Sequence, residues 1–280
     1  MELFAPALDY MQEQGSTTYG PCSWRDYLKH YGLEVSGRTP QYLSVDDISS
    51  LNHELRVSDT MVLRLGSRKG KLGADFGLIQ YANESDYFIH DKQLINGVVP
   101  EIYISSATLR KLFAFQMFPK LTETSLVNLA IASGLLKNAL DISDSQELLV
   151  PATGRSTYTF EFSPDKRSEI CWTHNNGQVE IDAVFIGTKN GNETVYVVEA
   201  KVGKPTGSLA KHKLVYGVAA LSDTIPVYMD VVPVYLKTWH ENDGQHYMVS
   251  ECSLLSSKPF VLPELSVKRV AHYVLPGFGG

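Results

Sequence analysis

The feature that most constrains the fold is a β-hairpin signature in residues 177–203, GQVEIDAVFIGTKNGNETVYVVEAKVG. Two runs of alternating apolar and polar residues flank the dipeptide Asn190-Gly191. This dipeptide favours a two-residue type I′ turn because both of its residues tolerate positive φ. The sequence therefore predicts two long antiparallel strands whose register is set by this turn.

Counting outward from the turn predicts two charged cross-strand pairs, Asp182 with Glu199 and Glu180 with Lys201. Side chains alternate along a strand, so all four would project from one face. Directly opposed Cβ atoms lie roughly 4.5–5.5 Å apart, which would let Asp182 and Glu199 share one ion. Two such carboxylates repel each other unless a cation binds between them or one keeps its proton. Hard cations such as Mg²⁺ take oxygen ligands, and the carbonyl of Ala200 would supply another oxygen.

A simpler interpretation of these charges remains open, because acids and lysines in hairpins commonly form solvated cross-strand pairs. The placement of Glu199 and Lys201 favours a functional role. They end an almost continuous valine run over residues 195–198, which is typical of a central, covered strand. Charges on such a strand are costly unless they are paired or bound to metal.

Composition and charge narrow the class of protein. The 280 residues are 44% apolar, enough for a substantial core, and no run is long enough to span a bilayer. The first residues do not have the order of a secretory signal, so we expect a cytoplasmic protein. Three scattered cysteines, Cys22, Cys171 and Cys252, predict free thiols rather than disulfides or a zinc ribbon. A net charge of −6 argues against a protein that coats nucleic acid non-specifically.

The pattern of elements divides the chain into an α+β N-terminal region, residues 1–120, and a second part, residues 121–280. The first part contains short helices over 23–33 and 44–55, the latter with Ser44 as expected N-cap, and strand-like stretches such as 60–65 and 76–81. It acts either as a recognition domain or as a layer that covers the rest of the chain.

The second part predicts a helix over 122–142, a strand over 156–162, the hairpin, a helix over 206–223 and further strands from 225. Thr206 or Ser208 would cap the later helix. That helix is long enough for a crossover, which makes the strands on either side of it parallel. The predicted fold class is therefore α/β, a mixed central sheet flanked by helices.

At these residues the sequence resembles the PD-(D/E)xK nuclease superfamily, the fold of many restriction endonucleases. The pattern of that superfamily is an acid on one strand, acid-x-Lys on the next and then a helix. Here it is carried by Ile181-Asp182, by Glu199-Ala200-Lys201 and by the helix that follows. The resemblance implies a restriction-endonuclease-like core in residues 121–280 and a Mg²⁺-dependent DNA endonuclease (hydrolase) activity, whose products carry a 5′-phosphate and a 3′-hydroxyl.

The same resemblance implies roles for individual residues. Asp182 and Glu199, with the Ala200 carbonyl, would ligate Mg²⁺, and Lys201 would position or activate the attacking water and offset charge on the transition state. Glu180 would assist a second metal or orient Lys201. Some members carry a glutamine on the following helix, where this chain has His212 or Lys213, and some use an acid from the preceding helix, for which Glu123 and Glu147 are the candidates.

Two basic clusters are the candidate contacts to double-stranded DNA. They comprise Arg68, Lys69 and Lys71 in one stretch, and Lys204, Lys211 and Lys213 in the other. The first is also typical of a solvated Gly-rich turn. It lacks the Gly-Lys-Ser/Thr of a phosphate-binding loop, so we predict no nucleotide cofactor.

The leading hypothesis from the sequence is a type II restriction endonuclease, acting as a homodimer on a palindromic DNA site. Two alternatives remain. One is a repair, recombination or other defence nuclease that recognises a DNA structure, and the other is a non-catalytic nucleic-acid-binding module with a nuclease-like sheet. His174-Asn175 hints at a different nuclease motif, but a turn is the favoured interpretation there. The tryptophans Trp24, Trp172 and Trp239 are favoured as core or rim residues over base-stacking ones.

Overall fold

The helices and strands follow from a computed structural model that describes residues 2–67, 73–143, 149–167, 169–254 and 258–278. The strands are β1 (Thr18–Ser23), β2 (Thr60–Arg64), β3 (Asp75–Gln80), β4 (Phe88–His90), β5 (Glu101–Ile102), β6 (Ala152–Ser163), β7 (Trp172–Lys189), β8 (Asn192–Val202), β9 (Ser208–Ala210), β10 (Asp230–Glu241), β11 (Gly244–Ser253), β12 (Phe260–Val261) and β13 (Ser266–Leu275). The helices are α1 (Ala5–Gln14), α2 (Trp24–His30), α3 (Pro40–Leu43), α4 (His53–Val57), α5 (Asp91–Ile95), α6 (Leu109–Gln116), α7 (Glu123–Ala132), α8 (Leu135–Ala139) and α9 (His212–Leu221).

An eight-stranded mixed sheet in the order β12-β6-β7-β8-β10-β11-β13-β5 forms the centre of the fold. Strand β7 runs antiparallel to both β6 and β8, and β10 lies parallel to β8. Helix α9 lies between β8 and β10 in the chain and packs on both. This confirms the predicted mixed sheet, the crossover and the parallel pairing that the crossover requires.

Both faces of this sheet are covered, which explains why residues 195–198 of β8 are apolar without interruption. Val195 and Val197 enter one hydrophobic core, called the first core, and Tyr196 and Val198 enter another on the opposite face, called the second core. Helix α9 and the N-terminal region cover the first face, while α6, α7 and α8 cover the second. A strand covered on both faces needs apolar residues in consecutive positions, as the valine run predicted.

The N-terminal region shares its hydrophobic core with the central sheet. Its three-stranded sheet, in the order β1-β3-β2, packs with residues of β7, β8 and α9 in one cluster, and β4 pairs with β9. Strand β5 joins the central sheet beside β13, and Leu112 of α6 lies in the second core. Packing therefore crosses the predicted boundary at residue 120.

The predicted 122–142 helix is divided in two. Helix α7 ends before Gly134, which has φ +83°, and α8 starts immediately after it. The backbone conformation favours glycine at this position, and a Cβ there would also lie 2.6 Å from the Ser106 hydroxyl oxygen and displace that side chain. The segment is helical on both sides of this glycine, but the chain turns there.

Two other helix predictions were wrong at their starts. Residues 44–55 form a short 3₁₀ turn over 48–50 and then α4, because Asp47 and Ser50 make a local capping box instead of Ser44 capping one helix. Residues 208–210 are strand β9, and the Ser208 hydroxyl accepts a hydrogen bond from Ile48 N at 3.0 Å. Helix α9 therefore begins at His212, with Lys211 as N-cap and no side-chain cap.

In the described part of the chain, Cys22, Cys171 and Cys252 are not joined in disulfides, as predicted. Across the described ranges, no helix combines the length and apolar character needed to cross a membrane.

Candidate active site

The β7–β8 hairpin confirms the predicted turn and register. Asn190 and Gly191 have φ of +52° and +84°, the positive values that a type I′ turn requires. The ladder then runs from the Lys189–Asn192 pair to the Ala183–Val198 pair. Asp182 and Glu199 are next in this register, but the backbone ladder stops one pair before them.

A β-bulge in β7 explains where the ladder stops. The pairing of β6 with β7 shifts by one residue between Ala152–Val184 and Gly154–Ile181. As a result Ile181 enters the first core and Ala183 the second, although residues two apart on a regular strand share a face. Asp182 lies at this bulge, between two residues of β7 whose side chains enter different cores.

Where the backbone pairing of β7 with β8 ends, the Asp182 side chain makes the next contact between the two strands. Its Oδ2 accepts a hydrogen bond from the backbone N–H of Ala200 at 2.7 Å. The contact holds the aspartate carboxylate against the segment between Glu199 and Lys201. The group of Ala200 that contacts Asp182 is its N–H, and the role of its carbonyl as a metal ligand stays a prediction.

Glu199 is buried, with 5% of its surface exposed, and two lysines approach the same oxygen. Lys201 Nζ lies 2.9 Å and Lys213 Nζ 3.7 Å from Glu199 Oε1. Lys213 also pairs with Asp46 Oδ1 of the N-terminal region at 3.0 Å. The hairpin, helix α9 and the N-terminal region therefore each contribute a charged group here.

The pKa values of Glu199 and Lys201 are shifted from their ordinary values. Burial raises the pKa of the Glu199 carboxyl, and the Asp182 charge raises it further, against the opposing effect of Lys213 and Lys201. Burial alone would lower the pKa of the Lys201 ammonium, but Glu199, Glu123 and Asp46 outweigh it and raise that pKa above its ordinary value. Lys201 is therefore an ammonium ion throughout the physiological range.

Glu123, the first residue of α7, belongs to the same cluster. Burial raises the pKa of its carboxyl, and the Asp182 charge adds to this, while Lys201 and a hydrogen bond from the Val202 N–H act in the opposite direction. The structure thus brings one of the two predicted helix acids to the end of β8. The other, Glu147, lies outside the described residues.

Glu180 does not occupy the place predicted for it. It is exposed and pairs with Arg155 across the β6–β7 ladder. Because the β7–β8 ladder ends at Ala183, no backbone pairing places Glu180 opposite Lys201. The bulge at Asp182 is the physical reason, since the prediction assumed an unbroken strand.

A second buried network adjoins Glu199 and was missed by the sequence reasoning. Tyr235 and Lys237 of β10 pair with Glu199 and Lys201 of β8 in the parallel register. Asp91 is fully buried and accepts a hydrogen bond from the Tyr235 hydroxyl at 2.8 Å, and Lys237 Nζ lies 3.2 Å from its other oxygen. The available signal was the pair Tyr235 and Lys237 at the end of the apolar stretch that begins at Val231.

The structure places the basic residues that were predicted to contact DNA in different surroundings. Lys204 is exposed, whereas Lys213 is committed to the ion pairs with Glu199 and Asp46. Lys211 has only 7% of its surface exposed, and burial lowers its pKa to about 8, so it is not placed to meet a phosphate. It is buried because β9 and α9 pack beneath the N-terminal region, where Lys211 N donates to the Tyr87 carbonyl. Arg68, Lys69 and Lys71 lie outside the described residues.

Histidines 174 and 212 are core residues in this structure. His174 is buried and stacks on Phe160 with ring centroids 4.8 Å apart. Its neighbourhood is not the expected turn but a second bulge within β7, where Asn176 has φ +43°. Burial lowers the pKa of His212 to about 3. Lys213 is the residue of α9 that reaches Glu199.

Trp24, Trp172 and Trp239 are all buried, in agreement with the interpretation of these tryptophans as core or rim residues.

The donor set fits a hard divalent cation. Asp182 and Glu199 would hold the ion and Glu123 would add a third carboxylate, since the Asp182 charge raises the pKa of both other acids. A bound cation would relieve that repulsion and offset the burial of Glu199. This fit depends on the oxygen chemistry of these carboxylates and on the effect of the Asp182 charge on Glu199 and Glu123.

The fold and the site define a mixed α/β protein with a buried carboxylate–lysine cluster at the end of a central strand. Residues 98–257 match the family described as domain of unknown function (DUF6997), and the chain belongs to this family, since the match covers more than half of it. No curated protein and no solved structure matches the chain. The matched segment contains Glu123, Asp182, Glu199, Lys201 and Lys213, while Asp46 and Asp91 lie before it.

Proposed function

We propose that this protein is a Mg²⁺-dependent endonuclease that hydrolyses phosphodiester bonds in double-stranded DNA, most simply a type II restriction enzyme of the cytoplasm. The observation that carries the proposal is the convergence of Asp182, Glu199 and Lys201 at the end of β8, with a raised pKa on the glutamate. Charged groups held on rigid strands are what a positioned catalytic site needs.

The order of elements supports the same proposal. Helices α7 and α8, strands β6 to β8, helix α9 and strand β10 follow one another in the order expected of a restriction-endonuclease-like core. Glu123, at the start of α7, is also where some members of the resembled superfamily place an additional acid.

The roles of the chain's own groups follow from their charges. When bound, Mg²⁺ would supply Lewis-acid activation of the phosphate and of a water. The raised pKa of Lys201 prevents it from acting as the base that removes the proton of the water. As an ammonium ion, it donates a hydrogen bond that orients the water or a phosphate oxygen, and it offsets negative charge in the transition state. The Ala200 N–H holds Asp182 in its position.

The test is cleavage of a mixed-sequence plasmid by tag-free protein with and without Mg²⁺. We expect Asp182→Ala and Lys201→Ala to abolish Mg²⁺-dependent cleavage while leaving the circular dichroism spectrum unchanged. Glu193→Gln, an exposed acid near the turn of the same hairpin, is the matched control and should cleave normally. Wild-type cleavage by the Asp182 and Lys201 variants would refute the site.

Mapping of the cut positions separates restriction from structure-specific cleavage. One fixed sequence around every cut supports a restriction enzyme. Cleavage that follows flaps or four-way junctions in any sequence supports a repair, recombination or defence nuclease instead.

A second candidate is a nucleic-acid-binding module without catalysis. It is favoured by the two lysines that already neutralise Glu199, because a cation would compete with both of them. This candidate predicts DNA binding in a gel-shift assay without Mg²⁺-dependent cleavage of any of the substrates above.

A further inference from the structure

A second group of metal-ligating side chains lies at the tip of the β10–β11 hairpin, away from the carboxylate–lysine cluster. Glu241, Asp243 and His246 each offer one ligand atom, and these atoms all lie within 4.8 Å of one another. Glu241 is four residues along β10 from Lys237, which corresponds to about 13 Å of strand. The group is therefore a separate feature of the same sheet.

His246 is buried and its imidazole ring is fixed from two sides. Trp239 stacks on it, with ring centroids 5.0 Å apart and an interplanar angle of 21°. His246 Nδ1 lies 3.0 Å from Nε2 of His272, which is also buried. Either ring nitrogen of this contact can be the donor, depending on which tautomers the two imidazoles adopt. The contact of His246 Nε2 with Asp243 Oδ1 is a hydrogen bond in which Nε2–H donates to the carboxylate. A metal ion bound at Nε2 would replace this proton, and the ring would then carry its proton on Nδ1 and donate it to His272 Nε2.

The two carboxylates are arranged around this nitrogen. Asp243 Oδ1 lies 2.7 Å and Glu241 Oε2 lies 4.0 Å from His246 Nε2. The other oxygen of Glu241 accepts a hydrogen bond from the Trp239 indole N–H at 3.0 Å, which turns Oε2 toward the imidazole. Such contacts to the far side of a ligand are characteristic of metal sites.

Distances and charge both suit a zinc ion. Tetrahedral zinc with bonds of about 2.0–2.1 Å places neighbouring ligand atoms about 3.4 Å apart, a value between the two separations observed here. Asp243 and Glu241 are exposed and can make the small adjustment. Two carboxylates with a neutral imidazole balance a divalent charge, and an imidazole ligand favours zinc over magnesium.

We propose that Glu241, Asp243 and His246 form a binding site for a divalent transition-metal ion, Zn²⁺ in the first instance, with His272 and Trp239 as positioning residues. This inference does not rest on nuclease activity, and it concerns residues outside the carboxylate–lysine cluster.

The experiment is isothermal titration of tag-free protein with Zn²⁺ alone and with Mg²⁺ alone. We expect the wild type to bind one equivalent of Zn²⁺ that Glu241→Gln/Asp243→Asn loses. These are exposed positions where both amides keep the side-chain size, so folding should be preserved. Mg²⁺ should not displace the zinc. His272→Phe keeps an aromatic ring but cannot accept the hydrogen bond, and should weaken Zn²⁺ binding about tenfold or more.

The matched control is His90→Ala, which removes a histidine paired with Glu84 at 2.9 Å outside this cluster and should leave the zinc equivalent intact. Zinc binding that survives unchanged in the Glu241/Asp243 double variant would belong to other residues and would overturn the proposal. Absence of zinc binding to the wild type, or displacement of zinc by Mg²⁺, would overturn it as well.

Discussion

Lys201 keeps its positive charge because three acids surround it in a partly buried place. Glu199 lies 2.9 Å away, and Glu123 and Asp46 add to the field that raises its pKa. A lysine in this state contributes charge and hydrogen-bond donors, and it stays protonated near neutral pH. The requirement at this position is therefore for a cation.

This requirement predicts different effects for two substitutions of Lys201. Lys201→Met keeps the length of the side chain but removes the charge, and should slow single-turnover DNA cleavage at least about 100-fold. Lys201→Arg retains the charge and should keep a larger share of the activity. An arginine variant as inactive as the methionine variant, with normal folding, would indicate that the lysine transfers a proton.

The protonation of Glu199 should set the pH at which the cleavage rate falls on the acid side of its pH profile. Burial and the Asp182 charge raise its pKa above the ordinary value of 4.5. Below that raised pKa the carboxyl is neutral and cannot hold a cation, so cleavage should be lost as the pH falls through it. Because protons and Mg²⁺ compete for the same oxygens, more Mg²⁺ should move the limb to lower pH.

The measurement is the cleavage rate against pH at two Mg²⁺ concentrations. Glu199→Gln should be inactive at every pH. An acid limb that lies at or below the ordinary carboxyl range and does not respond to Mg²⁺ would show that Glu199 is not the titrating group.

At the scale of elements, the β7–β8 turn sets the register that brings the site together. Gly191 has φ +84° and open space around the position of a Cβ, so only backbone conformation opposes a side chain there. Gly191→Ala should lower the free energy of unfolding by about 1 kcal/mol, the usual cost of placing an L-residue in this region.

Gly154→Ala in β6 is the matched control for the turn. A Cβ at residue 154 also meets open space, but its φ lies outside the positive region. Urea unfolding should therefore show little change for Gly154→Ala. Equal effects of the two substitutions would contradict the strain argument.

At the scale of the whole molecule, the first face of the central sheet depends on the N-terminal region. Leu63, Phe76 and Leu78 of that region are fully buried in the same core as Val197 and Leu214. Removal of this layer would expose a large apolar surface on the sheet and on α9. Such a surface promotes aggregation in an isolated fragment.

Deletion of residues 1–96 should therefore give a chain that is aggregated or lacks a cooperative unfolding transition, although it keeps the whole segment matched by the family. The measurement is size-exclusion chromatography followed by thermal unfolding. A monomeric fragment with a sharp transition would show that the N-terminal region is an independent domain.

The sequence by itself determined those features that depend on neighbours along the chain. Asn190-Gly191 specified a turn and a register because positive φ is a local property, and the valine run of β8 indicated a strand covered on both faces. The register counted from the same turn also placed Asp182 and Glu199 next to each other just beyond the last pair of the ladder.

Only the tertiary structure decided what depends on packing between distant segments. The bulge at Asp182 arises from the pairing of β7 with β6, so a prediction from one hairpin could not include it, and Glu180 was misplaced for that reason. Asp46, Asp91 and Lys213 reach the site from separate elements, and Lys211 is buried by strands far away in the sequence. Charge and burial are set by the whole surroundings of a group, and those surroundings exist only once the chain has folded.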